Sequence, residues 1–176
     1  LTVEPLRLDF RSPVATAYAM LDERELLEVR LETRDGYVGV GEAAPLEPYD
    51  GVALGEARTA LEAYRPILAE ADDMSADEVL SACRHAAALP QALAAVDLAL
   101  WDIAGRREGR PVSALLAGGP ASAVVVNATV GAADPSEAAR RAADAAAAGF
   151  RCVKVKVGIE DDVARVRAVR EETGPE

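Results

Sequence analysis

Two lysines separated by one residue are the side chains whose type and spacing most suggest chemistry in this sequence. They are Lys154 and Lys156, within the stretch FRCVKVKVG at residues 150–158. The alternating valines are typical of a strand, in which side chains at i and i+2 share a face. A lysine amine can act in proton transfer where its surroundings favour the neutral form, but burying two unpaired ammonium groups is costly.

Two interpretations of this strand follow from where its lysine face lies. On an exposed sheet edge the lysine heads would be solvated. In a closed (β/α)8 barrel they would face the interior, where catalytic groups lie at the C-terminal ends of the strands. Lys156 comes two residues before Gly158, near the C-terminal end, and Val153, Val155 and Val157 would face the covering helices. That location favours chemistry, although the strand alone leaves both interpretations open.

The sequence after about residue 120 predicts a parallel α/β unit. AVVVNATVG is a nearly continuous apolar run, which is typical of a strand covered on both faces. A helix follows, with Asp134 as N-cap and Gly149 at its end. After the lysine strand, a second helix carries Val163, Val166 and Val169 on one stripe. Two parallel strands do not make a stable sheet alone, so we expect the front part of a larger fold.

The first 45 residues predict a β-meander. Leu27, Val29 and Leu31 alternate with charged residues, which indicates a sheet with one solvated face. Asp35-Gly36 predicts a tight turn, and YVGVGE is the returning strand.

Helices follow the meander. After a first amphipathic run, Ser75 and Glu78 form a capping box for a second helix, and Pro90 begins a third. Gly105 or Gly109 can end that third helix. Strands followed by helices predict an α+β domain.

Composition narrows the class of protein. The 176 residues are 51% hydrophobic and carry a net charge of −11, which argues against nucleic acid as a partner. No apolar run is long enough to span a membrane and no secretory leader is visible, so a cytoplasmic location is expected. Cys83 and Cys152 are predicted to be core thiols, and His85 a surface or packing residue.

Several stretches, in this order, resemble the enolase superfamily, specifically its muconate-lactonizing (cycloisomerase) subgroup. They are GYVGVGEAAPLEPYDG, AAVDLALWDIAGRREGRPVSALLAGG, and GFRCVKVKVG followed by DDVARVRAVREETG. The resemblance implies that residues 1–118 are an α+β capping domain. It implies that residues 119–176 hold the first two β/α units of a modified (β/α)8 TIM-like barrel, so that the chain is a truncated form.

The resemblance also implies roles for the lysines. Lys156 would be the acid/base that takes the proton next to a substrate carboxylate, and Lys154 would help to set its protonation. A neighbouring ammonium and a bound divalent cation both favour the neutral amine. That cation, Mg2+ (or Mn2+), would be held by carboxylates on later strands and would stabilise an enediolate. We therefore expect these 176 residues alone to bind no catalytic magnesium and to turn nothing over.

In the resembled family, two loops of the capping domain determine the substrate. They correspond to residues 12–22 and 44–52, where Tyr18 and Tyr49 are candidates for substrate binding or are ordinary loop tyrosines. The stretch GEAAPLEPYDG most resembles the specificity loop of o-succinylbenzoate synthases, and this resemblance implies a dehydratase. The alternatives are dipeptide or N-acylamino acid epimerase, muconate-type cycloisomerase, and a non-catalytic module whose lysines form a salt bridge. A small carboxylate is the expected partner, and exposed barrel surface would be compatible with a homo-oligomer.

Other acidic residues are expected to be structural. Asp161 and Asp162 open the last helix, where carboxylates cap amides. Asp97, Trp101 and Asp102 lie on the helix that begins near Pro90, where packing and buried hydrogen bonds are expected.

Overall fold

The computed structural model of the chain describes residues 1–117, 119 and 122–174, apart from the side chain at position 12. Residue 118, where the first domain is predicted to end, lies outside this described part. The chain forms two compact units. The first comprises residues 1–8 and 25–120, and the second comprises residues 9–24 and 121–176.

Three strands form the first sheet, in the order β1-β2-β3, as the predicted meander requires. Their bounds are β1 Thr2–Ala15, β2 Met20–Glu32 and β3 Val38–Ala43. The pair β2 and β3 is antiparallel, with Val29 opposite Gly41. The predicted turn is made at Gly36, whose φ of 85° is left-handed and whose N–H donates to Thr33 O at 2.9 Å.

Five helices follow in the first unit. They are α1 Glu47–Asp50, α2 Leu54–Ala69, α3 Ala76–Ala86, α4 Pro90–Glu108 and α5 Val112–Leu116. The predicted capping box of α3 is confirmed, because Ser75 Oγ accepts from Glu78 N–H and the Glu78 carboxylate accepts from Ser75 N–H. Of the two glycines predicted to end α4, it is Gly109 that does so, with φ 62°.

The core of the first unit is apolar. Leu27, Val29 and Leu31 point inward from β2, as their alternation predicts. They pack with buried side chains of α2, α3 and α4, among them Leu61, Tyr64, Val79, Cys83, Val96 and Ile103. Packing of these side chains removes apolar surface from water, which is the main favourable contribution to the free energy of folding.

Helix α4 lies directly on β3, and two glycines make this possible. A Cβ at Gly39 would lie 2.1 Å from Ala99 O, and one at Gly41 would lie 1.9 Å from Ala95 O. Asp102 reinforces the contact, because its carboxylate accepts the Val40 N–H at 3.0 Å. The glycines of YVGVGE thus serve close backbone packing.

Besides residues 9–24, which include the end of β1 and the start of β2, the described part of the second unit contains two parallel strands and two helices. They are β4 Ala128–Val130, α6 Pro135–Ala147, β5 Val153–Val155 and α7 Asp162–Thr173. A small apolar cluster joins them, with Val153 and Val155 packed against buried residues of β4, α6 and α7. These two valines therefore face the helices as predicted.

Helix α6 begins at its predicted cap. Asp134 Oδ1 accepts the Glu137 N–H at 2.8 Å. The Glu137 carboxylate accepts from Arg140 and Arg141, and these hydrogen bonds lower the pKa of Glu137 to about 2.

Both strands of the second unit are shorter than the apolar runs predict. Of the run at residues 123–131, only Ala128–Val130 is a strand. Val124, Val125 and Val126 are 78%, 82% and 62% exposed, so the prediction of a strand covered on both faces was wrong there. Local sequence cannot supply the cause, because strand length is set by pairing, and β4 pairs with β5 over three residues.

The predicted valine stripe of α7 was also wrong. Val163 and Val166 are exposed, whereas Arg165 and Val169 are buried. Helical phase explains the change: residues 165 and 169 are one turn apart and face the strands together.

The two cysteines differ. Cys83 is buried, and burial raises the pKa of its thiol. Cys152 is exposed, so its prediction as a core thiol was wrong; it precedes the first residue of β5. Within the described ranges, no helix is both long and apolar enough to cross a membrane.

Candidate active site

The two lysines lie at the end of strand β5. Lys154 is paired in register with Thr129 of β4. Lys156 follows the last strand residue, and its N–H donates to Val130 O at 2.9 Å. The carboxyl ends of β4 and β5 meet at one edge because the strands are parallel, so Lys156 stands at that edge.

The lysines have different exposure but share one property. Lys154 is exposed and Lys156 is half-buried. Neither ammonium group makes a hydrogen bond or ion pair with any residue in the described part of the chain. They are also the only two lysines of the sequence, whose other basic side chains are arginines and one histidine. The salt bridge that a purely structural role would require is not formed within the described residues.

The segment 9–24 lies against the same strand ends. A Cβ at Gly131, just after β4, would lie 3.5 Å from Ala15 O and 3.9 Å from Lys156 Cγ. A Cβ at Gly158 would lie 2.6 Å from Ala17 Cβ. Residues 15–17 therefore pack beside Lys156, and only glycine at position 158 leaves room for this approach.

A tight turn organises that segment. Thr16 Oγ1 donates to Ala19 O at 2.6 Å, and Ala19 N–H donates back to Thr16 Oγ1 at 3.0 Å. Tyr18 lies in this turn and is 41% exposed. The predicted substrate-binding residue Tyr18 thus belongs to the unit that carries both lysines.

Tyr49 lies on α1 in the first unit and is largely exposed. Its neighbour Asp50 fixes the loop by accepting from Leu46 N–H, Val52 N–H and the Gln91 amide. The hydrogen bond from Val52 N–H lowers the pKa of Asp50. A role of Tyr49 in substrate binding stays a prediction.

A residue that the sequence did not single out, Arg165, lies beneath the strand ends. Its side chain is completely buried on α7. Its guanidinium donates to main-chain oxygens of Ala132, Lys156 and Glu160 and to the carboxylate of Asp162. The spacing of Asp162 and Arg165, i to i+3, is the sequence signal for their pairing, but nothing local predicts the burial.

The two aspartates at the start of α7, Asp161 and Asp162, do not cap it as predicted. Asp161 occupies the N-cap with a left-handed φ of 57° and makes no side-chain cap bond to a described residue. The Asp162 carboxylate accepts from the preceding loop, from Gly158 N–H at 2.7 Å and Ile159 N–H at 3.3 Å. These bonds, the Gly158 bond first, lower the pKa of Asp162.

A metal site needs several ligand side chains close together. Among residues 1–117, 119 and 122–174, no three His, Cys, Asp or Glu side chains are grouped so that they could hold a metal ion. His85 is exposed, and its Nδ1 lies 2.7 Å from Ser81 O on its own helix. The described residues therefore offer amines for proton transfer and no cluster for a metal.

Comparison with known proteins gives this arrangement a context. Residues 2–117 match the sequence model described as mandelate racemase / muconate lactonizing enzyme, N-terminal domain. The chain belongs to this family. Membership of the mandelate racemase / muconate lactonizing enzyme family confirms the predicted enolase superfamily and the predicted fold class.

Several relatives of this chain are epimerases and racemases. The chain is 29% identical over 175 residues to the hydrophobic dipeptide epimerase of Enterococcus faecalis, covering 98% of this chain and 49% of that protein. It is 29% identical over 173 residues to the N-succinyl-L-Arg/Lys racemase of Bacillus cereus, covering 96% of this chain and 47% of that protein. The chain thus spans about half the length of these curated relatives.

Solved structures agree with the sequence relatives. The E. faecalis dipeptide epimerase, crystallised with Mg and the dipeptide L-Leu-L-Tyr, matches with a TM-score of 0.90 and 28% identity, over 98% of this chain and 49% of that one. The B. cereus N-succinyl Arg/Lys racemase matches with a TM-score of 0.90 and 28% identity, over 98% and 48%. These relatives support the epimerase alternative and give no support to the preference for o-succinylbenzoate synthase.

Proposed function

We propose that this chain supplies the proton-transfer lysine of an epimerase or racemase that acts on dipeptides or N-acylated amino acids. The observation that carries the proposal is the position of Lys156. It is half-buried at the carboxyl end of a parallel strand, beside the turn at residues 16–19, and its ammonium has no partner among the described residues. A basic group that no acidic side chain of the described residues neutralises is available to a substrate.

The chemistry follows from the side chain. The hydrogen on the carbon next to a carboxylate is weakly acidic, and a neutral amine within hydrogen-bond distance can accept it. Lys154, two residues before it, adds a positive charge near the same strand end, and this charge attracts a carboxylate. Lys156 is therefore assigned the acid/base role, and Lys154 an electrostatic one.

Inversion of configuration needs a second acid on the opposite face of the substrate. Lys154 lies on β5 and Lys156 directly follows it, so both amines extend from one strand end and can serve one face of the substrate. The second proton donor has to come from residues outside this sequence. The same holds for Mg2+ or Mn2+, which would stabilise charge on the carboxylate oxygens, because no described cluster could hold it.

Two tyrosines of this chain are proposed to determine the choice of substrate. Tyr18, on the turn that packs beside Lys156, is proposed to contact the substrate side chain. Tyr49, on the loop that Asp50 fixes, is proposed as a second contact. Residues 1–118 are proposed as the capping domain and 119–176 as the start of the barrel, with segment 9–24 grouped with the latter residues.

An exchange experiment tests the proposal. The complete encoded protein is incubated in D2O with Mg2+ and either L-Leu-L-Tyr or N-succinyl-L-arginine, and loss of the α-proton signal is followed by NMR. We expect deuterium at the α-carbon of at least one of these substrate classes. The 176-residue chain alone is the control and is expected to be inactive.

Two outcomes would contradict the proposal. One is dehydration of the o-succinylbenzoate precursor without exchange in any dipeptide or N-acylated amino acid. The other is no turnover of any carboxylate by a folded, metal-loaded protein, which would favour the non-catalytic alternative.

A further inference from the structure

Arg165 is the only buried charged side chain among the residues that the structure describes. A buried guanidinium is unfavourable unless its donors are satisfied. Here each of its three nitrogens donates, and every acceptor lies at or just beyond the carboxyl end of β4 or β5, or in the turn that leads to α7. The guanidinium therefore binds three main-chain oxygens around Lys156 and the carboxylate of Asp162.

One nitrogen joins the two strands. Nη1 donates to Lys156 O at 2.8 Å and to Ala132 O at 3.2 Å. Lys156 N–H is bound to Val130 O, so both main-chain polar groups of Lys156 have partners. The Cα of Lys156 is therefore held from both sides, and its side chain keeps only its own torsions.

The carboxylate of Asp162 extends this support along the chain. It accepts from the guanidinium and from the amides of Gly158 and Ile159. These contacts order the turn directly after Lys156, including Gly158, which packs against Ala17. Arg165 and Asp162 together fix the strand end and the turn that lies over it.

We propose that Arg165, together with Asp162, is a positioning residue for Lys156, fixing the main chain from which the acid/base amine extends. This rests on the proposed proton-transfer function. A shift of about 1 Å in a reacting group can cost about 100-fold in rate, so loss of the bridge should act on the chemical step more than on substrate binding. A lysine at position 165 has one nitrogen and cannot reach the same set of acceptors.

Kinetics of the complete protein test this role. Arg165→Gln should lower kcat for α-proton exchange by about tenfold to 100-fold, with KM and the affinity for Mg2+ within about twofold of wild type. Arg165→Lys should recover only part of the loss, and Asp162→Asn should show a smaller decrease in kcat. Arg167→Gln, an exposed arginine on the same helix, is the matched control and should leave kcat unchanged.

Three kinetic results would contradict the positioning role of Arg165. Wild-type kcat in a folded Arg165→Gln protein would overturn the proposal, as would an equal loss in Arg167→Gln. If Arg165→Gln does not fold, Arg165→Lys and Asp162→Asn decide: wild-type kcat in both of them overturns the proposal equally.

A second measurement does not depend on the activity. Amide hydrogen exchange in the complete protein should be at least about tenfold faster at Lys156, Gly158 and Ile159 in Arg165→Gln than in wild type, and unchanged in Arg167→Gln. Unchanged protection at those three amides would refute the positioning role whatever the enzyme does. If these amides exchange faster in Arg165→Gln but the wild-type protein turns over no substrate, the proposed function is refuted, whereas the structural role of the Arg165 hydrogen bonds is supported.

Discussion

The interiors of the two units differ in the side chains that they bury. In the first unit, Leu27, Leu61 and Val96 are completely buried among other apolar side chains. In the second unit the largest buried side chain is Arg165, and the apolar cluster around it is small. The first unit is therefore held by packing, whereas the second depends more on directional hydrogen bonds at the ends of its strands.

That difference matches what each region has to do. Apolar burial is non-directional, so it does not by itself select the orientation of a particular main-chain group. A charged group with several acceptors does specify it, at a cost in desolvation. The second unit carries the lysines, so a precisely fixed main chain there would serve the proposed proton transfer.

The largest effect is expected where α4 touches β3. Gly41→Ala would place a Cβ 1.9 Å from Ala95 O, and main-chain atoms cannot move aside as a side chain can. We expect a loss of about 3 kcal/mol in the free energy of unfolding, measured by urea titration. Gly55→Ala is the control, since no described atom lies within 4 Å of the added methyl, and it should gain about 0.5–1 kcal/mol.

Truncation of buried side chains compares the two interiors directly. Leu61→Ala removes a completely buried side chain from the larger core and should cost about 3 kcal/mol. Val169→Ala, at the small cluster of the second unit, should cost about 1 kcal/mol, because it removes fewer atoms from a less enclosed site. Equal losses in urea titrations of the two variants would remove the distinction between the units.

Acid should reveal the charged contacts of the second unit. The pKa of Glu137 is lowered from 4.5 to about 2, first by the hydrogen bond from Arg140. A lowered pKa in the folded state means that the contribution is present above pH 4.5 and is lost as the pH falls toward 2. Glu137→Gln should therefore flatten the fall of the urea midpoint between pH 4.5 and 2.

The matched variant for that titration is Glu171→Gln, an exposed glutamate on α7. It should retain the wild-type slope. If both variants flatten the curve alike, the pairing of Glu137 with its arginines contributes nothing specific.

The smallest effect concerns the left-handed residue before α7. Asp161→Gly should raise the free energy of unfolding by about 0.5 kcal/mol, because glycine adopts a φ of 57° without strain. Glu160→Gly, in the same turn but with an ordinary φ, should be destabilising. Stabilisation by both glycines would show that the gain does not come from relief at position 161.

The sequence predicts the parts of this fold that local signals encode. The cap at Ser75, the helix start at Pro90 and the left-handed end at Gly109 each depend on neighbours within one turn. Strand length in the second unit was not predictable in this way, because Val124 to Val126 are apolar without being paired.

The candidate site also combines features that local sequence encodes with features that depend on distant residues. Lys156 was predicted from its spacing and from the resemblance, and its place at the strand end follows from the order of elements. Arg165 was not predicted to be buried, because the buried face of a helix is recognised in a sequence by its apolar residues. The burial of Arg165 depends on hydrogen-bond acceptors that lie on other elements. The contact of Ala17 with Gly158 spans more than 100 residues of sequence and has no local signal.

The central claim is that the amine of Lys156 exchanges a proton with the substrate α-carbon. Its most direct test is deuterium incorporation by Lys156→Ala in the complete, Mg2+-loaded protein, with the wild type and Lys154→Ala measured in parallel. We expect Lys156→Ala to abolish exchange while Mg2+ binding is retained, and Lys154→Ala to be slower than wild type but active. Exchange at the wild-type rate in Lys156→Ala would contradict it.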